Sequence, residues 1–357
     1  MKTGVLLLNF GEPDEPTLEA VVPFLERIFA LNAPLMSEAR PTEAQIRERS
    51  HRLAVERAPG LIAEYKEIGG SPLHRQAREQ AEALHVELKS RGVENAVFLG
   101  MQFTEPSIES AVESARQAGV DRLVAIPVYP LCGPSTSVAA LNEVDRQLSE
   151  QSWKVEALQV TGWHRHPAYL RLRVDAIREV LAREGLSLSD GRTRLVFSAH
   201  GTPLRYVEQG SRYVEYVEEF CLRVAKELGA SDYVLGYQNH TNRPGLEWTP
   251  PDIEKAIAAV EAESVVVDAV SFMHEQSETL AELDEELREE VEGRGVRFFR
   301  VPIPYAAPSF ISLLADLVQG VSGVGAARGG SPEPVRLVPC RCKSTGGAVC
   351  TNGDGRL

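Results

Sequence analysis

The chain has 357 residues, of which 43% are hydrophobic and 25% are charged, enough for two domains of ordinary size with a core in each. No run approaches the roughly 20 apolar residues that span a bilayer, and the first residues lead into a short buried strand instead of a signal sequence. A soluble, cytoplasmic protein is therefore expected. The formal net charge of −13, with no basic stripe interleaved with aromatic residues, excludes nucleic acid as a general partner.

Short apolar runs bounded by turn residues alternate with stretches of helical periodicity along the whole chain. This alternation predicts parallel sheets with helices on both faces. The runs form two sets, so we expect an α/β fold of two similar Rossmann-like halves, each a doubly wound parallel sheet, with a cleft between them. The first set is residues 4–10, 96–101 and 123–129, and the second is 155–161, 194–198, 232–237, 264–270 and 298–301.

The composition changes in three places that suggest how the chain is organised. Residues 32–58 are more polar and predict an excursion at the lip of the cleft, with a loose amphipathic helix after Thr42. This segment lacks a strong apolar face, so peripheral contact with a membrane is left open only as a weak alternative. A terminal helix at 309–318 is expected to close the second half. The predicted limits are 1–150 for the first half, with a crossover at 149–154, then 151–320 for the second half and 321–357 for a linker and a cysteine-rich tail.

One histidine stands where an enzyme of this class would present a reactive side chain. The β-type run at 193–197 ends abruptly in small residues and the imidazole of His200, within the sequence FSAHGTP. The carboxyl ends of parallel strands are where α/β enzymes place functional groups. A lone histidine is nevertheless more often structural than catalytic, so His200 needs a partner before a role can be assigned.

A second segment, 75 residues further along, carries a row of glutamates at three- and four-residue spacing. That spacing places them on one face of a helix whose Leu280, Leu283 and Leu287 would pack into the core. Like charges at such spacing repel by a few tenths of a kcal/mol per pair, so the row is either simply solvated or holds a cation. The row is Glu275, Glu278, Glu282, Glu286 and Glu289.

The five cysteines are unevenly distributed. Cys132 and Cys221 lie within the predicted folded part, whereas Cys340, Cys342 and Cys350 lie within the last 18 residues. An odd number of cysteines in a chain expected in the cytoplasm does not suggest a disulfide framework. Thiols gathered in a glycine-rich tail suggest a bound metal or cluster.

Several ordered motifs make the chain similar to a known family over about residues 3–320. They are LLLNFGEP at the start, GGSPL from Gly69, YPLCGPSTS from Tyr129, FSAHGTP, GYQNHTNRP followed by EWTPPD, and FMHEQSETLAELD. Each motif is weak by itself, but their order and distances together are specific. The sequence resembles ferrochelatases, which insert ferrous iron into a porphyrin at the end of heme synthesis.

The resemblance implies a role for the histidine and for three of the glutamates. It places His200 and Glu278 opposite each other at the porphyrin centre, with His200 as proton acceptor or metal-binding residue and Glu278 as its partner. A neutral imidazole can accept a pyrrole proton near neutral pH or bind iron, and a carboxylate can bind the cation or relay protons. The resemblance also implies that Glu282 and Glu286 guide hydrated Fe²⁺ inward, with oxygen ligands that hold it loosely.

Further residues match positions near the substrate in this family. Arg27 could pair with a porphyrin propionate but could equally be an exposed helix arginine, and Ser71 could instead cap a helix. Phe10 can stack on the macrocycle, although some relatives have an iron-binding tyrosine there. Trp248 could pack the cleft or anchor its loop. The predicted porphyrin contacts are Phe10, Arg27, Ser71, Ser135, Thr136 and Trp248.

Two segments depart from the family pattern. Glu275 and Gln276 stand where many relatives have an Asp-His pair, which leaves open the hydrogen bonds that surround Glu278. The loop with His240 and Asn242 also differs, so no substrate contact is transferred to it.

Some ferrochelatases hold a [2Fe-2S] cluster through three C-terminal cysteines and one internal cysteine. The resemblance therefore suggests Cys132, Cys340, Cys342 and Cys350 as cluster ligands, since four thiolates are the usual number. Cys221 is expected to be a small buried side chain within a helix. A zinc site and a disordered tail are the alternatives.

The function implied by the resemblance is insertion of Fe²⁺ into a porphyrin. The motifs LLLNFGEP and ETLAELD are similar to users of protoporphyrin IX, and NRP with EWTPPD to users of coproporphyrin III; protoporphyrin IX is favoured by a small margin. The alternatives are a heme or porphyrin carrier without turnover, and a chelatase for another metal and tetrapyrrole, with cobalt or nickel as the metal.

Overall fold

A computed structural model describes residues 1–33, 41–238, 246–323, 336–343 and 347–352. Its strands are β1 (Thr3–Asn9), β2 (Asn95–Met101), β3 (Arg122–Pro127), β4 (Glu156–Val160), β5 (Thr193–His200), β6 (Tyr233–Gln238), β7 (Ser264–Ala269), β8 (Arg297–Arg300), β9 (Val338–Pro339) and β10 (Ala348–Cys350). The eight strands predicted from the sequence are all present, with ends shifted by at most two residues.

The helices occupy the connections between these strands. They are α1 (Leu18–Asn32), α2 (Glu43–Glu67), α3 (Leu73–Ser90), α4 (Ile108–Gln117), α5 (Ala139–Glu150), α6 (Pro167–Glu184), α7 (Leu204–Glu208), α8 (Tyr213–Leu228), α9 (Ile253–Ala258), α10 (Ser277–Thr279), α11 (Arg288–Gly293) and α12 (Pro308–Ser322). Two π-helical segments, Pro134–Val138 and Leu280–Leu287, lead into α5 and α11.

The chain divides into two compact units, each built from separate stretches. Unit 1 consists of Met1–Gly11, Arg75–Leu172 and Pro304–Leu357, and unit 2 consists of Glu12–His74 and Arg173–Ile303. The predicted domain limits at residues 150 and 320 stay a prediction.

Unit 1 contains a sheet with the order β2-β1-β3-β4-β10-β9. Strand β1 lies inside the sheet between β2 and β3 and is buried, with its Val5–Leu8 stretch 0% exposed. Leu6 and Leu8 pack with Val112 of α4 and with Leu141 and Val144 of α5, which covers one face of the sheet. Such a run of branched apolar residues is typical of a parallel strand buried on both faces.

Two elements that the sequence analysis placed in the second half lie in unit 1. Strand β4 pairs in parallel with β3, and α12 lies in unit 1 instead of closing the second half. Arg91, which follows α3, holds α12 in place, because its guanidinium lies 2.5 Å from the Asp316 carboxylate and 2.9 Å from the Gln319 side-chain oxygen. These partners are more than 220 residues from Arg91 along the chain, so no local pattern could reveal them.

The cysteine-rich tail extends the same sheet. Strand β10 pairs in parallel with β4, with Ala348 opposite Gln159, and β9 pairs antiparallel with β10. These strands have only two and three residues, too short for a periodic pattern to predict. The rest of the predicted linker and tail, residues 324–335, 344–346 and 353–357, lies outside the described residues.

Unit 2 contains a parallel sheet with the order β6-β5-β7-β8. The first four strands of unit 1 have the same relative order, second-first-third-fourth, which confirms two similar doubly wound halves. The order reverses between β5 and β7, and ligands of such sheets bind outside the carboxyl ends of the strands at that point. Strand β5 therefore ends at the position where the fold favours a site.

The helices of unit 2 begin and end at identifiable caps. Thr42 and Gln45 form a reciprocal capping box at the start of α2, and α8 ends at Gly229 with φ 70°. The predicted excursion at 32–58 thus contains the end of α1 and much of α2, while residues 34–40 lie outside the described residues. Within the part of the chain that the structure describes, no helix combines the length and apolar character that a membrane span requires.

Candidate functional site

His200 is the last residue of β5, and its backbone is fixed on both sides. Its N–H donates to the Ser271 hydroxyl at 3.0 Å, and its carbonyl accepts from the Tyr213 hydroxyl at 3.1 Å. The pairing of β5 with β7 ends at Ser198, so these side chains satisfy backbone groups that the ladder no longer reaches. The imidazole is thereby held at the strand end with 36% of its side chain exposed.

The structure brings His200 and Glu278 together. The imidazole Nδ1 lies 3.0 Å from the carboxylate Oε2, and the Glu278 side chain is only 13% exposed. Burial by itself would lower the pKa of His200, but the neighbouring carboxylate outweighs it, so the pKa lies above its ordinary value. The Trp248 ring packs edge-on at 6.5 Å between ring centroids. Glu278 is therefore the partner that His200 needed before a role could be assigned to it.

The row of glutamates begins at Glu278, three residues later than its spacing suggested. Helix α10 starts at Ser277, and Glu275 precedes it. The Glu275 carboxylate accepts hydrogen bonds from the Thr279 hydroxyl at 2.8 Å, the Ile303 N–H at 2.9 Å and the Arg300 guanidinium at 3.0 Å. Glu275 therefore does not share the helix face of the later glutamates, because it precedes the helix and these donors fix its carboxylate beside the helix start.

Gln238, at the end of β6, connects several parts of the site and was not identified from the sequence. Its amide nitrogen donates to the Glu278 carbonyl at 2.6 Å and lies 3.3 Å from Glu282 Oε2, while its oxygen accepts from the Ser198 hydroxyl at 2.6 Å. Gln238 pairs in register with His200 on the neighbouring strand. The sequence did contain a signal for Gln238, since it is a polar residue at the end of the apolar run that forms β6.

Glu282 and Glu286 both lie in the π-helical segment, a helix form that occurs frequently at functional sites. Partial loss of hydration raises the pKa of Glu286, and the carboxylates of Glu64, Glu254 and Glu67 raise it further. The acidic surface around Glu286 thus includes glutamates of α2 and α9. These glutamates are distant in sequence, so the residue spacing along one helix could not reveal them.

Three of the predicted porphyrin contacts lie in unit 2. Arg27 is exposed on α1, and Trp248 is half-buried beside His200. The Ser71 hydroxyl donates to the Glu12 carboxylate at 2.5 Å and accepts from the Leu73 N–H at 3.2 Å. The hydroxyl of Ser71 therefore has a structural role at the start of α3.

The other three contacts lie in unit 1. Phe10 follows β1 and packs edge-on against Phe103, with ring centroids 4.6 Å apart. Ser135 and Thr136 lie in the π-helical turn before α5. The Ser135 carbonyl accepts from Gln102 at 3.1 Å, and the Thr136 hydroxyl is 3.4 Å from the Gly133 carbonyl. The structure thus places each of the six contact residues, while His240 and Asn242 lie outside the described residues.

The tail brings cysteines that are distant in sequence into one place. The sulfurs of Cys132, Cys340 and Cys342 lie within 4.8 Å of one another. Hydrogen bonds from Cys132, Cys342 and Cys350 lower the pKa of Cys340 far below that of an ordinary thiol, and the Thr161 hydroxyl adds a bond at 2.9 Å.

The three clustered sulfurs could ligate one metal or cluster, and Cys350, buried in β10, supplies a further thiol beside Cys340. Thiolates are ligands of both zinc and iron–sulfur clusters, so this donor set fits either group. Cys221 lies fully buried in α8.

Comparisons with known proteins identify the family of the chain. The family described as Ferrochelatase matches residues 2–321. The ferrochelatase of Trichodesmium erythraeum (strain IMS101) is 34% identical, covering 89% of this chain and 82% of the relative. The ferrochelatase of Geobacter sp. (strain M21) is 30% identical, covering 89% of this chain and 98% of the relative.

The fold also has a counterpart among solved structures. SirB from Bacillus subtilis with Fe3+ superposes with a TM-score of 0.53 at 11% sequence identity, covering 91% of this chain and 98% of that protein. This likeness concerns the fold alone. The family match, by contrast, spans nearly the whole chain: the protein belongs to the ferrochelatase family and is a metal chelatase of heme biosynthesis.

Proposed function

We propose that the chain inserts Fe²⁺ into protoporphyrin IX, which is favoured by a small margin over coproporphyrin III as the alternative substrate. The observation that supports this most strongly is the imidazole–carboxylate pair of His200 and Glu278 at the end of β5, where the strand order reverses. Insertion exchanges the two pyrrole N–H protons of the porphyrin for one Fe²⁺, so the site must accept protons as the metal enters.

His200 is the proposed proton acceptor. Its Nδ1 is engaged by Glu278 at 3.0 Å, which leaves the lone pair of Nε2 for a pyrrole proton. The imidazolium that forms is then stabilised by the adjacent carboxylate. Glu278 thus orients the base and compensates its positive charge, as carboxylates beside catalytic histidines do.

Glu282 and Glu286 are proposed to conduct Fe²⁺ toward this pair. Both are carboxylates on the π-helical segment that follows Glu278, and Glu286 is exposed. Carboxylate oxygens form exchangeable bonds with divalent ions, which suits transfer of a metal better than its retention.

The four cysteines Cys132, Cys340, Cys342 and Cys350 are proposed to hold a [2Fe-2S] cluster. When bound, such a cluster is held by four cysteine thiolates and can exchange one electron. In this chain it would also join the tail to the segment after β3. A zinc ion is the competing occupant, and iron, zinc and acid-labile sulfide analysis of anaerobically purified protein distinguishes the two.

Two further expectations from the sequence accompany this proposal. The six predicted porphyrin contacts stay a prediction from the family resemblance. A cytoplasmic location likewise stays a prediction.

The deciding experiment is anaerobic insertion of Fe²⁺ with protoporphyrin IX and coproporphyrin III offered in parallel, followed by porphyrin absorption. Turnover of one porphyrin with a clearly higher kcat/KM identifies the substrate. Tight binding of both without turnover would instead support a porphyrin carrier. Turnover with Co²⁺ or Ni²⁺ but not with Fe²⁺ would support a chelatase for another metal.

A further inference from the structure

Glu12 is a buried carboxylate to which no role has been assigned. It follows β1 in the motif LLLNFGEP, and the whole residue is 3% exposed. Burying a carboxylate is costly unless hydrogen bonds compensate for the lost water. The groups that compensate Glu12 therefore indicate why it is there.

Four donor groups from three separate segments surround Glu12. The Tyr65 hydroxyl of α2 lies 3.1 Å from Oε1, and the Ser71 hydroxyl before α3 lies 2.5 Å from Oε2. Ser277 provides two donors, its hydroxyl at 2.5 Å from Oε1 and its backbone N–H at 3.2 Å from Oε2. Glu12 thus receives half of its donors from the residue that directly precedes Glu278.

The contact with Ser277 lies at the start of the helical segment that carries Glu278. The first N–H groups of a helix have no partner within the helix, and Glu12 satisfies that of Ser277. Because Ser277 and Glu278 are adjacent, fixing the backbone and side chain of Ser277 fixes where the Glu278 side chain starts. Gln238 holds the Glu278 carbonyl from the other side at 2.6 Å.

The electrostatic surroundings agree with this geometry. Burial raises the pKa of Glu12, the bonds from Ser277 and Ser71 lower it, and the charge of Glu278 raises it again. Burial and the nearby Glu12 carboxylate also raise the pKa of Tyr65, so the Tyr65 hydroxyl stays protonated as a donor.

We propose that Glu12 is a positioning residue for the reaction, which holds Glu278 against His200 through its two hydrogen bonds to Ser277. This rests on the proposed function of His200 and Glu278. Glu12 does not touch the substrate in this proposal, so its loss should affect the chemical step and leave binding of either substrate intact.

The test compares Glu12→Gln with the wild-type enzyme and with Glu15→Gln. An amide nitrogen cannot accept a hydrogen bond, so Glu12→Gln loses one of its two acceptor oxygens while keeping its shape. We expect kcat for iron insertion to fall about 10-fold, with the KM values for Fe²⁺ and porphyrin changed less than about twofold. Glu15→Gln makes the same chemical change at an exposed side chain three residues further along the chain and should leave kcat unchanged.

Ser277→Ala provides a second, milder variant if Glu12→Gln folds poorly. Ser277→Ala should also lower kcat. The activation free energy should rise less in the double variant than the sum of the rises in the two single variants, because both substitutions disrupt the same contact between Glu12 and Ser277. Unchanged kcat in Ser277→Ala, or full additivity, would overturn the proposal.

Crystal structures of the wild-type and Glu12→Gln proteins give a readout that needs no turnover. The distance from His200 Nδ1 to Glu278 Oε2, 3.0 Å here, should lengthen in the variant. If the wild type inserts iron but the distance and kcat are unaffected by Glu12→Gln, the positioning role fails while the function stands. If the wild type shows no turnover, the proposed iron insertion is refuted. The distance from His200 Nδ1 to Glu278 Oε2 in the two crystal structures still tests whether Glu12 positions Glu278.

Discussion

The imidazole Nδ1 of His200 and the carboxylate Oε2 of Glu278 lie 3.0 Å apart, although the two residues are 78 positions apart in the chain. One comes from the end of β5 and the other from the helical segment after β7. Parallel strands bring their carboxyl ends to one edge of the sheet, which is why this pair can form.

Replacing His200 by alanine should abolish most of the iron insertion while leaving porphyrin binding largely intact. A positioned general base contributes about 10²–10⁴-fold to a rate, and kcat should fall within that range. Steady-state insertion assays and fluorescence titration with porphyrin measure the two effects. His51, an exposed histidine paired with Glu26 at 2.5 Å, is the matched control, and His51→Ala should retain activity. Full activity in His200→Ala would refute the mechanism.

Replacing Glu278 by glutamine should lower the pKa of His200. Burial lowers this pKa and the Glu278 carboxylate raises it above its ordinary value of 6.5, so removing the negative charge leaves only the lowering effect. Titration of the imidazole resonances by NMR, with His200→Ala to assign the signal, measures the change. An unchanged pKa of His200 would mean that the two side chains do not interact in solution.

The same pair makes stability depend on pH. The folded-state pKa of His200 is raised, so the folded state binds the proton more tightly than the unfolded state. The stabilisation is fully present below the unfolded pKa of about 6.5 and is lost as the pH rises through the higher folded pKa. The Tm difference between the wild type and Glu278→Gln should therefore shrink as the pH increases through that range. A difference that grows with pH would contradict this sign.

Glu282→Gln and Glu286→Gln should raise the KM for Fe²⁺ several-fold and leave the KM for porphyrin unchanged. Each variant removes one anionic oxygen ligand from the proposed route of the metal. Anaerobic assays with varied Fe²⁺ at saturating porphyrin give these values. Glu285, exposed on the same helical segment next to Glu286, offers a control with the same change in net charge. An equal effect of Glu285→Gln would indicate a general electrostatic effect instead of a specific route.

Cys340→Ser should remove the iron and acid-labile sulfide that we expect to co-purify with the chain. Cys340 contacts the other three thiols, so its loss affects the whole set. Cys221→Ala changes a cysteine buried in α8 and should keep the cluster. If the wild type contains zinc and neither iron nor sulfide, the cysteines form a zinc site and the cluster proposal is wrong.

Arg173→Met should destabilise the fold strongly. Its guanidinium donates to the Asp268 carboxylate of β7, and both side chains are 0% exposed. Removing one member of a buried ion pair leaves an uncompensated charge, which costs about 3–5 kcal/mol. Chemical denaturation measures the loss, and the double variant Arg173→Met with Asp268→Leu should recover much of it. Wild-type stability in Arg173→Met would show that the pair contributes little.

The sequence by itself determined the main strands and indicated the candidate site residues. Eight strands, a strand end shortly before His200 and a helix bearing Glu278 follow from apolar periodicity and from the small residues that end a strand, which are local properties of the chain. The family resemblance then connected His200 with Glu278, and the structure confirmed that they meet.

Only the tertiary structure decided which distant groups surround these residues. Glu12 contacts Ser277, which is 265 positions away in the chain, and Gln238 contacts Glu278, which is 40 positions away. Strand β10 pairs with β4 through only two residue pairs. Three other contacts hold the Glu275 carboxylate ahead of the helix that carries the later glutamates. Buried polar groups must find hydrogen-bond partners wherever packing places them, and that placement depends on the whole fold, which local sequence patterns do not encode.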